Sequence, residues 1–121
     1  MRKRVRIGLV ALAGLLGTVP GDGAFAHHGW SGYDASKLVT LTGTVEQVSF
    51  GSPHGLLTLQ TGDKLWRVVL APPSRLARRG LPAGSITAGE RVTVEGYPHR
   101  NDPEEFRAER IRVKDATVEL R

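Results

Sequence analysis

From residue 38 onward, hydrophobic and polar residues alternate in short runs, which predicts a chain built mainly of β-strands. Residues 38–50 are rich in Val, Thr and Leu on alternating positions, and Gly43 within them predicts a bulge or a sharp bend. Residues 55–60 and 65–70 have the same strand character, and the residues 61–64 between them are typical of a hairpin turn. Three successive strands with short connections predict an antiparallel meander.

The second half of the chain predicts one short helix and two or more further strands. Residues 75–79 are typical of a short helix, with Gly80 at its C-terminal cap and with Leu76 and Ala77 as its apolar face. Residues 91–95 alternate again and predict a fourth strand. In residues 105–120 the alternation changes phase, which a bulge would absorb, and a turn there would lead into a short last strand.

This order of elements indicates a particular barrel. A long first strand containing glycine, and a helix between the third and fourth strands, are what the oligonucleotide/oligosaccharide-binding (OB) barrel requires. We therefore predict a mainly β fold, a small five-stranded OB-like antiparallel barrel with one short helix between strands 3 and 4. Another small antiparallel barrel or a sandwich is the alternative.

The first 26 residues have the three parts of a cleavable secretion signal. Basic residues at positions 2, 3, 4 and 6 precede an apolar stretch at 7–19, and Ala24-Phe25-Ala26 has the small-x-small form that signal peptidase accepts. The apolar stretch is shorter than the roughly 20 residues of a membrane-spanning helix. We expect residues 1–26 to be the signal, 27–37 an N-terminal arm and 38–121 the barrel, in a periplasmic protein with no membrane span after cleavage.

Removal of this signal lowers the net positive charge of the protein, and this changes the classes of partner that we expect. The full chain has 17 basic and 12 acidic residues and a net charge of +5, whereas residues 27–121 keep 13 and 11, a net charge of +2. A nearly balanced domain gives little reason to expect nucleic acid as a partner, since its binding relies on concentrated positive charge. The chain has no cysteine, which excludes disulfides, lipidation at cysteine and thiolate metal sites.

Several short runs of the sequence resemble one family when they are taken together. They are AHHGW at 26–30, LTGTV at 41–45, PH at 53–54, LAPPSR at 70–75, GYPHR at 96–100 and RAERI at 107–111. The set is similar to the exported bacterial family catalogued as domain of unknown function 6152, over essentially the whole mature chain. Ser52 departs from it, standing where asparagine is expected before Pro-His. The resemblance implies export and adds no catalytic residue.

Four histidines carry the candidate metal chemistry. Cleavage after residue 26 makes His27 the mature amino terminus, where an α-amine and an imidazole on one residue form a chelating pair, and His28 follows it. His54 and His99 each follow a proline, in loops that flank the same face of an OB-like barrel. We therefore predict a site for Cu(II) or Zn(II) formed by these histidines, because residues 27–121 contain no methionine or cysteine to hold Cu(I). The arm must then fold back over nearly its full length of roughly 36 Å.

The alternative function is ligand binding without a metal. Trp30, Tyr33, Tyr97 and Arg100 predict a surface for a glycan, a peptide or a protein partner in the envelope, with the histidines as polar contacts. Taken singly, each histidine is more typical of a solvated terminus or a turn. No acid and base pair stands out as catalytic, so we do not expect an enzyme. A role in envelope assembly or stress tolerance is the third interpretation.

Overall fold

The computed structural model describes residues 29–121, which fold into one β-barrel with a single short helix. The predicted secretion signal, His27 and His28 lie outside these described residues and stay predictions. The elements are β1 (Val39–Ser49), β2 (Leu56–Thr61), β3 (Lys64–Val69), α1 (Pro73–Arg78), β4 (Arg91–Pro98), β5 (Glu105–Val113) and β6 (Ala116–Glu119).

Five of the strands close into a barrel, which confirms the predicted OB-like fold with its helix between strands 3 and 4. β1 pairs with β2 and β4, β2 with β3, and β4 with β5, all antiparallel. The circle is closed by β3 and β5, which pair in parallel, so the barrel is not antiparallel throughout as predicted. β3 runs in the same direction as β1, because both pair antiparallel with β2. β5 also runs in the direction of β1, because both pair antiparallel with β4. β3 and β5 are therefore parallel to each other. The predicted short last strand is β6, which extends the sheet beyond β5.

Two bulges shape the barrel, and one of them lies where the sequence pattern places it. In β5 the partner of Glu95 is Arg110 and the partner of Gly96 is Ala108, so Glu109 is the extra residue. This bulge absorbs the predicted change of phase and keeps the apolar residues of both halves of β5 on the inside.

The second bulge lies in β1, the strand in which the sequence pattern predicted a bulge or a sharp bend at Gly43. The register of β1 shifts at Glu46, whereas Gly43 pairs regularly with Val92. A Cβ atom at Gly43 would overlap the carbonyl of Gln60. Gly43 is therefore needed for a close approach of two backbones rather than for the bulge.

The core fills the barrel and continues under the helix. The largest fully buried side chains in the described part of the chain include Val45, Leu57, Leu59, Val68, Val92, Val94, Phe106 and Ile111. Leu76 of α1 is also buried and packs against Gly55, where a Cβ would lie 2.7 Å from the Leu76 Cδ1. Ala77, predicted to share the apolar face, is exposed, because a helix of one and a half turns presents only one position to the barrel. Within residues 29–121, no helix is long and apolar enough to cross a membrane.

The described part of the arm runs along the loop between β4 and β5. Tyr33 pairs with His99 in an isolated antiparallel bridge, and the Arg100 N–H donates a hydrogen bond of 2.9 Å to the Gly32 carbonyl. Tyr33 is buried there. The arm therefore covers part of the outer surface of the barrel next to one of the two histidine loops.

Candidate functional site

A cleft of about 710 Å³ opens on the outer face of the barrel, and we call it the β3–β5 cleft. Its floor consists of Arg67, Val69, Glu105 and Arg107, and its walls are residues 51–54 on one side and the arm with His99 on the other. The parallel register pairs Arg67 with Glu105 and Val69 with Arg107, so side chains two positions apart on each strand share this face. OB barrels bind ligands on the face of strands 2 and 3 between the loops 1–2 and 4–5, and this cleft lies between those two loops with β3 in its floor. Its volume is that of a small-molecule site.

Arg107 is a buried cation on the floor of the cleft. Its side chain is only 5% exposed, and its guanidinium lies 4.6 Å from the centre of the Trp30 ring. Nη1 donates a hydrogen bond of 3.0 Å to the Gly29 carbonyl, but the buried Nε has no hydrogen-bond partner within residues 29–121. Burial lowers the pKa of Arg107, yet a guanidinium keeps its proton in proteins. The described residues place no carboxylate within ion-pair distance of this charge.

Glu105 is the anionic residue of the floor, and both of its carboxylate oxygens already have partners. The Tyr33 hydroxyl donates to Glu105 Oε2 at 2.8 Å, and Arg67 Nη2 donates to Oε1 at 3.1 Å. Arg67 also forms an ion pair with Asp102 at the rim. Burial, with the Glu105 carboxylate beside it, raises the pKa of the Tyr33 hydroxyl well above its ordinary value. Within residues 29–121, Glu105 therefore forms no direct ion pair with Arg107, although its negative charge acts on the guanidinium from a longer distance.

Trp30 and Tyr97, two of the predicted ligand contacts, hold Arg107 in place and do not line the cleft. The Trp30 ring contacts two guanidinium groups, those of Arg107 and Arg121, each 4.6 Å from its centre. Tyr97 packs edge-on against Trp30 at 6.1 Å, and its hydroxyl donates to Glu109. Of the four predicted contacts, Tyr33 lines the cleft, whereas Arg100 is exposed outside it.

His99 lines the cleft with one ring nitrogen already engaged. Its Nδ1 accepts hydrogen bonds from the backbone N–H groups of Asn101, at 3.1 Å, and Asp102, at 3.0 Å. In the neutral ring the proton is therefore assigned to Nε2, which lies 3.7 Å from Glu105 Oε2. Metal ligation through Nε2 requires the opposite tautomer, in which Nδ1 carries the proton. That proton would point at the N–H groups of Asn101 and Asp102, which are donors themselves. The loop must rearrange before His99 binds a metal.

His54 lines the opposite wall of the same cleft, as the loop argument predicts. It is half-buried, and burial lowers its pKa, with a further contribution from the positive charges of Arg107 and Arg75. Its imidazole is therefore neutral at pH 7. The structure thus brings His54 and His99 to one cleft, while no group of three or more His, Asp or Glu side chains in residues 29–121 is arranged to hold a metal ion.

Sequence reasoning did not identify Arg67 or Arg107 as site residues. Arg107 alternates with Phe106 and Ala108 in a strand, a pattern typical of a solvated charge on an outer face. Its burial comes from the arm, since the Gly29 carbonyl that it binds is 78 positions away in the chain. The one local indication is that the run Arg107–Ile111 belongs to the motifs that resemble the family.

The comparisons with known proteins agree with the resemblance in the sequence. None of the curated proteins matches the chain. The sequence model of a family of unknown function (DUF6152) matches residues 17–106, which are 90 of the 121 residues and include both histidine loops and Arg67. The chain therefore belongs to this family of unknown function, DUF6152.

Proposed function

We propose that this protein is an exported binding module that holds a small ligand in the β3–β5 cleft and catalyses no reaction. The observation that carries the proposal is the cleft itself, which lies beside the arm and between the two loops that flank the ligand face of OB barrels. We propose a periplasmic location for this module, on the basis of the secretion signal predicted from the sequence.

The lining of the cleft supports binding of a small molecule. Pro53, Leu56 and Val69 offer an apolar surface, and a few polar groups converge on it from different elements. Ligand sites typically combine a mostly apolar wall with a small number of placed polar groups. The polar groups of this floor are held by hydrogen bonds and ring contacts to the arm, so little ordering is needed when a ligand enters.

The test is a map of backbone amide chemical shifts, recorded on the secreted protein by nuclear magnetic resonance during titration with maltotriose, trialanine and hexanoate. At least one compound is expected to shift amides of residues 51–56, 67–69 and 105–107 in a saturable way. The amides of β6 serve as the internal control and stay in place. The proposal fails if none of the three compounds shifts the cleft amides or if the shifts cluster elsewhere.

A second candidate function, binding of Cu(II) or Zn(II), is favoured by one observation. His54 and His99 line the same cleft, and Gly29, which directly follows His28 in the chain, binds Arg107 on its floor. We propose for this candidate a site in which His27 supplies its amine and imidazole, with His28, His54 or His99 as further ligands.

Electron paramagnetic resonance of the Cu(II)-titrated protein tests this candidate. Protein with the authentic His27 terminus is compared with a form that carries an extra glycine before His27, and the two spectra are expected to differ. His54→Gln should weaken binding more than His99→Gln, because His99 must first give up two backbone hydrogen bonds. Identical spectra for the two termini would contradict the terminal chelate.

A further inference from the structure

We propose that the ligand of the β3–β5 cleft is a small monocarboxylic acid, whose carboxylate binds Arg107 and whose apolar body lies along Leu56 and Val69. This inference rests on the proposed function and adds the chemical class of the ligand. It starts from the charge on Arg107, whose side chain is 95% removed from solvent and whose Nε lacks a partner in the described part of the chain.

An unpaired buried cation is costly, and an anion removes that cost. Burial of a charge is unfavourable unless it is paired and hydrogen-bonded. The hydrogen bond to the Gly29 carbonyl satisfies one Arg107 donor with a neutral acceptor, so in the described residues the guanidinium has no direct anionic partner. A carboxylate accepts two parallel N–H bonds from a guanidinium, which are stronger than bonds between neutral groups. Arg107 is also pre-organised for this task by the Trp30 ring that it stacks on.

The surrounding charges favour a monoanion over a phosphate. Arg67 is shared between Asp102 and Glu105, so this group of three carries one net negative charge beside the cleft. His54 is neutral, and Arg75 donates to the Leu120 carbonyl without lining the cleft. A carboxylate brings one negative charge to Arg107, whereas a dianion would bring two next to Glu105 and be repelled more strongly.

The shape of the lining favours an apolar body attached to that carboxylate. Val69 is the direct strand partner of Arg107, so an apolar surface begins beside the guanidinium. Pro53 and the exposed Leu56 continue it along the wall. A chain of several methylene groups would cover this surface and gain the transfer free energy of its buried area.

The experiment is a calorimetric titration of the secreted protein with hexanoate, hexanamide and hexyl phosphate. We expect hexanoate to bind at least about tenfold more tightly than hexanamide, because a hydrogen bond to a charged group is worth more than a neutral one. Hexyl phosphate at a pH where it is a dianion should bind more weakly than hexanoate. Arg107→Gln should lose at least about tenfold in hexanoate affinity. Arg112→Gln, which removes the same charge from an exposed position of β5, should leave it unchanged.

Each other outcome overturns a stated part of the account. Equal affinities for hexanoate and hexanamide, or full binding by Arg107→Gln, would overturn the carboxylate assignment while the cleft stays a binding site. Tighter binding of hexyl phosphate would replace the monocarboxylate with a phosphate ester.

The failure of this inference can be distinguished from the failure of the proposed function. If maltotriose or trialanine shifts the cleft amides and hexanoate does not, the carboxylate inference alone fails. If none of these compounds binds, the proposed function fails with it. Should Arg107→Gln not fold, the three ligands compared on the unaltered protein decide the question.

Discussion

Tyr33 and Glu105, 72 positions apart in the chain, share a hydrogen bond of 2.8 Å at the edge of the cleft. The bond joins the arm to the first residue of β5, and the ring of Tyr33 also packs edge-on against His99 at 5.2 Å. At the scale of single residues, the loop positions of His54 and His99 were predictable because prolines and glycines mark the turns. The burial of Tyr33 and Arg107 was not, because each is covered by a segment distant in sequence.

The buried Tyr33 hydroxyl predicts a pH dependence of stability at alkaline pH. The ordinary tyrosine pKa is 10.0, and that of Tyr33 in the folded protein is higher, first because of burial and then because of Glu105. Below pH 10 both states keep the proton. Above it the unfolded chain loses the proton and the folded chain retains it, so the free energy of unfolding falls as pH rises.

The Tyr97→Phe variant makes the ionisation of the Tyr33 hydroxyl measurable, since it leaves Tyr33 as the only tyrosine in the sequence. Its absorbance at 295 nm should show no ionisation near pH 10 in the folded protein, and ionisation near pH 10 once guanidinium chloride has unfolded it. A folded-state midpoint at the ordinary value would show that the hydroxyl is not held as described.

At the scale of elements, the C-terminal strand ties three parts of the molecule together. Leu120, which follows β6, donates its N–H to the Glu109 carbonyl at 2.8 Å, and Arg79, which follows α1, donates to the Glu119 carbonyl at 2.8 Å. Arg121 then stacks on Trp30 of the arm. The sequence pattern predicted a short last strand here, but its contacts with the helix and the arm depend on side chains from all three elements.

The anchoring of this strand is tested by truncating Leu120, which is 1% exposed. Leu120→Ala should lower the free energy of unfolding by about 2–5 kcal/mol, the cost of a cavity in a packed core. Leu65→Ala is the matched control, because this leucine is 49% exposed and should lose no more than about 0.5 kcal/mol. Urea denaturation measures both, and equal losses would show that the C-terminal residues do not pack on the barrel.

Gly96 permits β4 and β5 to come together beside the bulge. The sequence pattern predicted a fourth strand over residues 91–95, and β4 continues through Gly96 to Pro98, which pairs with Phe106. Glycine, usually a strand breaker, is retained here because a Cβ at Gly96 would overlap the Arg107 carbonyl. The position of the Arg107 backbone, and hence of the cleft floor, depends on the absence of a Cβ atom at Gly96.

Gly96→Ala should therefore lower the free energy of unfolding by about 3 kcal/mol or more, at the upper end of the cost of overpacking. Gly29→Ala is the control, because a Cβ there meets no heavy atom within 4 Å, and its stability should be unchanged. Thermal unfolding followed by circular dichroism compares the two. A Gly96→Ala protein as stable as the unaltered one would contradict the close approach of β4 and β5.

At the scale of the whole molecule, the order of the elements was enough to predict the barrel but not its binding floor. The three-strand meander, the helix and the following strands constrain the chain to an OB-like closure. The parallel pairing of β3 with β5 joins residues nearly forty positions apart, and it is this pairing that sets Arg67, Val69, Glu105 and Arg107 on one face. The arm then completes the cleft from outside the barrel.

The central claim is that the β3–β5 cleft is where the protein binds its ligand, and blocking the cleft tests it most directly. The chain has no cysteine, so Ser52→Cys in the wall and Ala83→Cys on an exposed turn outside it each provide one alkylation site. After reaction with N-benzylmaleimide, the Ser52→Cys protein should lose at least about tenfold in affinity for hexanoate, or for whichever of maltotriose and trialanine the unaltered protein binds. The alkylated Ala83→Cys protein should bind as before. Unchanged affinity in both alkylated proteins, or no binding by the unaltered one, would contradict the account.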